Sequence, residues 1–146
     1  MDQDAGPHAL SLIICSDIQR QRPEQPATYT GVTNILQVTG QPGQRGGMLS
    51  PVPRLRVEAR FAAGLARGTF RFSLRVELES AGPRSLSSRE VRLIDGRQEV
   101  RLAHGWELKR LPTGPIWFEA LIDDAVVMRV PFMVEVVPPP LAEPQA

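Results

Sequence analysis

From Leu55 almost to Val137, apolar and polar residues alternate with a period of two. In Leu55, Val57, Ala59 and Phe61, and again in Phe70, Phe72, Leu74, Val76 and Leu78, every second side chain is apolar, while Arg, Glu and Ser fill the gaps. Only a strand sends successive side chains to opposite faces, so the pattern predicts half-buried antiparallel strands. No helical periodicity extends beyond a turn or two, and no internal repeat is visible.

Residues 1–8 carry no pattern and read as a disordered N-terminus. Leu10 to Cys15 is apolar enough for a strand covered on both faces. Asp17 to Ala27 is a polar connection in which Pro23 and Pro26 oppose helix and sheet alike. Thr28 to Thr39, rich in β-branched residues, predicts a second strand with a bulge or a close backbone approach at Gly31. Gly40 to Pro53, dense in Gly and Pro, reads as a long loop. It carries no acidic residue and could offer backbone amides to an anion, but it lacks the Lys-Ser/Thr ending of a phosphate loop.

Arg54–Ala62 and Thr69–Glu79 form the clearest predicted hairpin. With Phe61 facing Phe72, Glu58 lies opposite Arg75, Arg56 opposite Glu77 and Arg54 opposite Glu79, whereas a slip of two residues sets Arg against Arg. Ser80 to Ser88 reads as a turn-rich connection. Glu90–Asp95 and Glu99–Ala103 flank Asp95-Gly96, a dipeptide suited to a tight hairpin turn, and Trp106, Leu108 and Leu111 extend the pattern to the break at Pro112–Pro115. A last hairpin, Ile116–Ile122 with Val126–Val137, turns around Asp123-Asp124-Ala125. Pro131 belongs at an edge or bulge because it cannot donate to a ladder.

These elements predict an all-β chain: a single antiparallel immunoglobulin-like β-sandwich of about seven to nine strands over residues 9–137, with a closed barrel as the alternative. A Pro-rich disordered tail, 138–146, follows in extended polyproline II conformation. At 146 residues a chain buries roughly 68–70% of its unfolded surface, enough for a core without staples.

Composition adds limits. Cys15 is the only cysteine, so no internal disulfide can form, and a reducing, cytoplasmic location is expected. The acidic opening and the short apolar run before Ser16-Asp17 do not read as a secretory signal, and no stretch approaches the ~20 apolar residues of a membrane helix. A net charge of +1 points to neither nucleic acid nor membrane as a partner through bulk electrostatics. All basic residues but Lys109 are arginine, which a GC-rich genome explains as well as a need for bidentate donors does.

Candidate chemistry is sparse. Cys15 with His8 and Asp17 is the one nucleophile set, yet a cysteine closing an apolar strand reads as a packed thiol. Three Cys and His residues in all are too few for a structural zinc site. Asp123 and Asp124, with Asp95, could join a calcium site if their loops met, although adjacent acids at a hairpin tip are ordinary turn chemistry. Glu58, Glu77 and Glu119 fall on predicted solvent faces, as a charged surface that resists aggregation. Arg60, Arg71 and Arg101 are left as the expected unpaired cations, without interleaved aromatics for stacking a nucleic acid. Trp117 and Leu121 face outward under one strand assignment and inward under the other; outward, they form an apolar patch suited to a protein partner.

Leu12-Ile13-Ile14-Cys15-Ser16-Asp17-Ile18, followed by Tyr29-Thr30-Gly31-Val32, resembles the opening of a widespread bacterial family of small uncharacterised proteins. Those proteins read as a strand ending in Cys-Asp-Asp-Ile-Arg, then an Ile-Gly-Val-Tyr-type strand. A looser similarity runs through Pro53 with Leu55-Arg56-Val57, Gly114 before an aromatic-bearing strand, an acidic hairpin tip and a Pro-Phe-containing last strand. Ser16 replaces the family's second Asp, and Arg22-Pro23-Glu24-Gln25-Pro26 replaces its Gly-containing turn. The resemblance implies an immunoglobulin-like sandwich and no known activity. The expectation is a non-enzymatic, cofactor-free module for protein interaction or scaffolding, including self-association into an oligomer, with Trp117, Leu121, Arg60 and Arg71 at its interface. The alternative is a ligand-binding or hydrolytic sandwich whose loop-end site, built from Asp17, Gly40–Pro53 and Asp123-Asp124, takes an anion or calcium.

Overall fold

The computed structural model describes residues 5–20, 27–39, 52–79, 81–110, 112 and 114–137. The loop segment 40–51, most of the connection after β2 (21–26) and the Pro-rich tail 138–146 lie outside these residues. Among the described residues ten strands make up the regular structure: β1 (His8–Cys15), β2 (Asp17–Gln19), β3 (Thr28–Thr30), β4 (Ile35–Thr39), β5 (Arg54–Ala62), β6 (Gly68–Leu78), β7 (Gly82–Leu93), β8 (Glu99–Glu107), β9 (Ile116–Ile122) and β10 (Ala125–Val137). Among the described residues no helix is long and apolar enough to cross a membrane.

The strands form three sheets, ordered β1-β5-β8, β4-β10-β9-β6-β7 and β2-β3. The first two pack face to face. Phe61 of β5 meets Phe72 of β6 with 4.8 Å between ring centroids, and Trp106 of β8 stands edge-on to Phe118 of β9 at 5.3 Å. Phe61, Phe72, Phe118 and Phe132 are all fully buried; each contributes roughly 1.5–3 kcal/mol relative to exposure.

This arrangement corrects the predicted first hairpin. β5 pairs with β1 and β8, while β6 pairs with β7 and β9. Phe61 and Phe72 do meet, but across the core rather than along a ladder. Period two specifies which side chains share a face and is blind to whether two faces join edge to edge or stack. The opposite-charge pairs built on that register fall with it: Arg54 pairs with Glu107, Arg75 with Glu119 and Glu77 with Arg129.

Asp95-Gly96 likewise makes no hairpin, because β7 and β8 belong to different sheets. The segment is a sheet-crossing corner held by Gln98, whose side-chain Oε1 accepts from the amides of Ile94 at 2.6 Å and Asp95 at 3.0 Å. The supposed turn-rich connection before it is mostly strand, since β7 begins at Gly82.

The second predicted strand splits into β3 and β4 around Gly31, whose φ is 67°, a conformation that glycine adopts without strain. The chain crosses β1 there, with Thr33 N–H donating to Ile14 O at 3.0 Å, and enters the larger sheet parallel to β10. That parallel pair departs from the all-antiparallel expectation. The last hairpin is as predicted: Asp123 and Asp124, at φ 48° and 66°, form the two-residue turn that suits the twist of the flanking strands. Pro131 lies opposite Trp117 and before the β4 ladder begins at Met133, so no β4 neighbour needs its missing donor.

Candidate functional site

The four residues expected at an interface do not converge. Arg60 lies on the outer face of the three-stranded sheet, and Arg71, Trp117 and Leu121 lie on the outer face of the other. Trp117 and Leu121 do point away from the core, yet no exposed apolar patch results. Leu121 is only 4% exposed, and the Arg129 guanidinium covers the Trp117 ring at 3.8 Å from its centroid. Arg129 also bonds Glu77 at 3.2 Å and Glu119 at 3.3 Å, and Arg75 Nε donates to Glu119 at 2.9 Å. This closed network makes Glu119 a buried residue, not a solvent-facing one.

None of the three expected free cations is free. Arg60 Nε donates to Glu99 at 2.6 Å, Arg101 reaches Glu99 at 3.1 Å and Arg71 reaches Glu90 at 3.2 Å.

Glu58 departs furthest from its expected solvent face, being fully buried. It sits on the outer side of β5, where the small β2-β3 ribbon folds over the sheet. The Tyr29 hydroxyl donates to it at 2.5 Å, and Arg20 donates to both carboxylate oxygens at 3.2 and 3.0 Å. Under the same ribbon, Cys15 is buried and donates weakly to Arg56 O at 3.6 Å. Burial, with the nearby Glu58 charge adding to it, pushes the Cys15 thiol above its ordinary pKa. Burial and the bond to Glu58 push the Tyr29 phenol up as well. A protonated, covered thiol is a poor nucleophile, and His8 sits at the far end of β1, opposite Ala62.

The proposed loop-end site separates in the same way. Asp17 follows Cys15, which is level with Arg56 at the start of β5. Asp123 instead caps the beginning of β6, its carboxylate accepting from Arg71 N–H at 2.8 Å. The two acids therefore lie at opposite ends of the sheets, about 20 Å apart by strand rise. Asp95 is occupied by its own turn, accepting from Arg97 N–H at 2.9 Å. Among the described residues no group of three or more His, Cys, Asp or Glu side chains could hold a metal.

A different site emerges at the end of the sheets where β5 begins and β8 finishes. A cleft of ≈ 950 Å³ is floored by Leu55, Leu78, Leu86, Trp106 and Leu108 and rimmed by Arg54, Arg56, Arg84, Lys109 and Arg110. Glu79 and Glu107 are its acids, and His104 and Gly105 line it too. Five basic against two acidic side chains leave the cleft three charges positive, more than the +1 of the whole chain. Arg54 is neutralised by Glu107 at 3.3 Å. Among the described residues Arg56, Arg84, Lys109 and Arg110 make no ion pair. A half-apolar concavity with convergent unneutralised cations is suited to an anionic ligand that also buries apolar surface.

No protein-family profile matches this chain, and no curated protein is significantly similar to it. The cleft went unseen in the sequence because its walls come from separate strands. The alternation alone sets Arg56 opposite Glu77 and leaves Arg84 in a turn-rich connection. Two local signals do exist: the Lys109-Arg110 pair just past a strand end, and Gly105 inside a strand, where glycine marks a bulge or the close approach of another backbone.

Proposed function

We propose that this protein is a non-catalytic binding module of the β-sandwich, immunoglobulin-like kind, which holds an acidic segment of a protein partner in the cleft between β8 and the start of β7. The interaction reading from the sequence is kept, and its surface moves from the Trp117 face to the cleft. The observation that supports it is the set of four cations, Arg56, Arg84, Lys109 and Arg110, which make no ion pair among the described residues and stand around an apolar floor. Elsewhere on the molecule Glu119, Glu77, Glu99, Glu90 and Glu58 each have arginine partners, and the exposed Arg89, Arg92 and Arg97, which make no ion pair among the described residues, do not line this apolar-floored cleft. Unmatched charge concentrated at one concavity steers an oppositely charged partner and fixes its orientation.

Peptide is favoured over nucleic acid by the lining itself. Trp106, the only Trp, Tyr or Phe in the lining, is engaged edge-on with Phe118 and Phe132 rather than open for stacking a base. The test is a titration with an acetylated peptide of alternating valine and glutamate, against the same peptide with lysine for glutamate. Binding of the first alone, weakening as salt rises and lost in the double variant Arg84→Glu, Lys109→Glu, is the expected result. Equal binding of both peptides, or of neither, overturns the reading.

A further inference from the structure

We infer that the acidic segment binds as an added β-strand on the edge of β8 that no described strand pairs; this rests on the binding reading above and specifies its geometry. In an antiparallel ladder, residues alternate between exchanging both backbone bonds with the facing strand and turning both groups away. Leu108 N–H donates to Pro53 O at 3.0 Å, and the β5-β8 register continues from there as Glu107 opposite Arg54, Trp106 opposite Leu55 and Gly105 opposite Arg56. Trp106 and His104 therefore share the parity of Leu108 and bond β5. Gly105 and Glu107 turn their N–H and C=O groups the other way, to an edge where no described strand pairs. Both residues line the cleft and both are exposed.

Gly105 strengthens the assignment. Its φ is not among the positive ones, and a Cβ built on it would meet nothing within 4 Å, so neither local backbone nor packing within the chain requires glycine there. A bare backbone in an edge strand gives an incoming chain room to approach. An added strand also matches the two-sided lining of the cleft. In the β5-β8 register Trp106 shares the inner face with Leu55, and Gly105 the outer face with Arg56, so alternate side chains of the added strand would fall in turn on the Trp106 floor and beside Arg56, and a segment alternating apolar and acidic residues fits. Main-chain bonds would then supply affinity, and the alternating pockets specificity.

The experiment uses the valine-glutamate peptide in two backbone N-methylated forms, one blocking the amides on one edge of the strand and the other those on the opposite edge. Strand addition predicts that one form loses about tenfold or more in affinity while the other binds like the parent, since several main-chain bonds go at once. Gly105→Pro is the matching change in the protein. Its lost N–H faces away from β5, so the fold should keep its melting temperature while peptide affinity falls about tenfold. Should Gly105→Pro unfold, amide exchange on the unaltered protein decides: Gly105 and Glu107 must gain protection on binding. If the parent peptide binds but both methylated forms bind equally well and neither amide is protected, strand addition is wrong while the binding reading stands. If the parent peptide does not bind, or single-stranded oligonucleotides displace it from the Gly105→Pro variant as from the wild type, the acidic-peptide reading itself fails.

Discussion

Under the β2-β3 ribbon and in the β8 cleft the same chemistry, arginine and glutamate on strand surfaces, ends in opposite conditions. Beneath the ribbon a single carboxylate, Glu58, is withdrawn from water and met by three hydrogen bonds from Arg20 and Tyr29. In the cleft four cations stand around an apolar floor without an ion pair among the described residues, although Glu79 and Glu107 share the lining. Burial of a charge is tolerated only with close partners, so the first region is closed by its own logic and offers nothing to a ligand. The second has charge to spare, since among the described residues no acid pairs with Arg56, Arg84, Lys109 or Arg110. Together they show that charge count says little about recognition until each charge has been assigned its neighbour.

The comparison is tested hardest at Glu58. Glu58→Ala leaves the Arg20 guanidinium and the Tyr29 hydroxyl without their acceptor, and breaking a buried pair from one side costs about 3–5 kcal/mol. Urea unfolding should register that loss, and a value near zero would mean that the ribbon is not held by this cluster. Tyr29→Phe removes one bond to a charged group and should cost about 1.5–3 kcal/mol. Neither change touches the cleft, so binding of the acidic peptide should survive in whatever fraction remains folded.

The sequence carried the faces of the strands and little about their neighbours. Phe61, Phe72, Leu74 and Val76 were legible as core because period two is a property of each strand alone. Which strands pair depends on connections: the two-residue Asp123-Asp124 turn declared itself, whereas β5 and β6 are joined by a five-residue segment, of ordinary hairpin length, that crosses between sheets. Glu58 looked solvent-facing because the ribbon covering it is distant in sequence. Its partner Arg20 is 38 residues away, and no local pattern encodes that fold-back. The cleft was hidden for a related reason, being the place where β5, β6, β7 and β8 end together.

A smaller effect distinguishes the ribbon by pH. The Cys15 thiol and Tyr29 phenol have pKa values raised above the ordinary 9.0 and 10.0, so the folded state holds their protons more tightly than the unfolded chain does. Their contribution is complete below the unfolded values and is lost as pH rises through the higher folded ones. Stability measured from about pH 8 to about pH 11 should fall across that window, and Cys15→Ala with Tyr29→Phe should flatten the decline. A decline unchanged in the double variant would place the titrating groups elsewhere.

The least change in stability is expected where the change in binding is greatest. Among the described residues Arg84 and Lys109 are exposed and make no ion pair, so reversing either charge removes no described partner and should move stability by no more than about 0.5 kcal/mol. Reversal also relieves repulsion among the cleft cations, which makes a slight gain as natural as a slight loss. Binding of the acidic peptide, by contrast, should fall about tenfold for each reversal, the scale of a close attractive contact turned repulsive. Urea unfolding and peptide titration on the same two variants separate these quantities. If Arg84→Glu or Lys109→Glu destabilised the fold as strongly as Glu58→Ala, the cleft cations would be structural like those under the ribbon, and the contrast between the two regions would disappear.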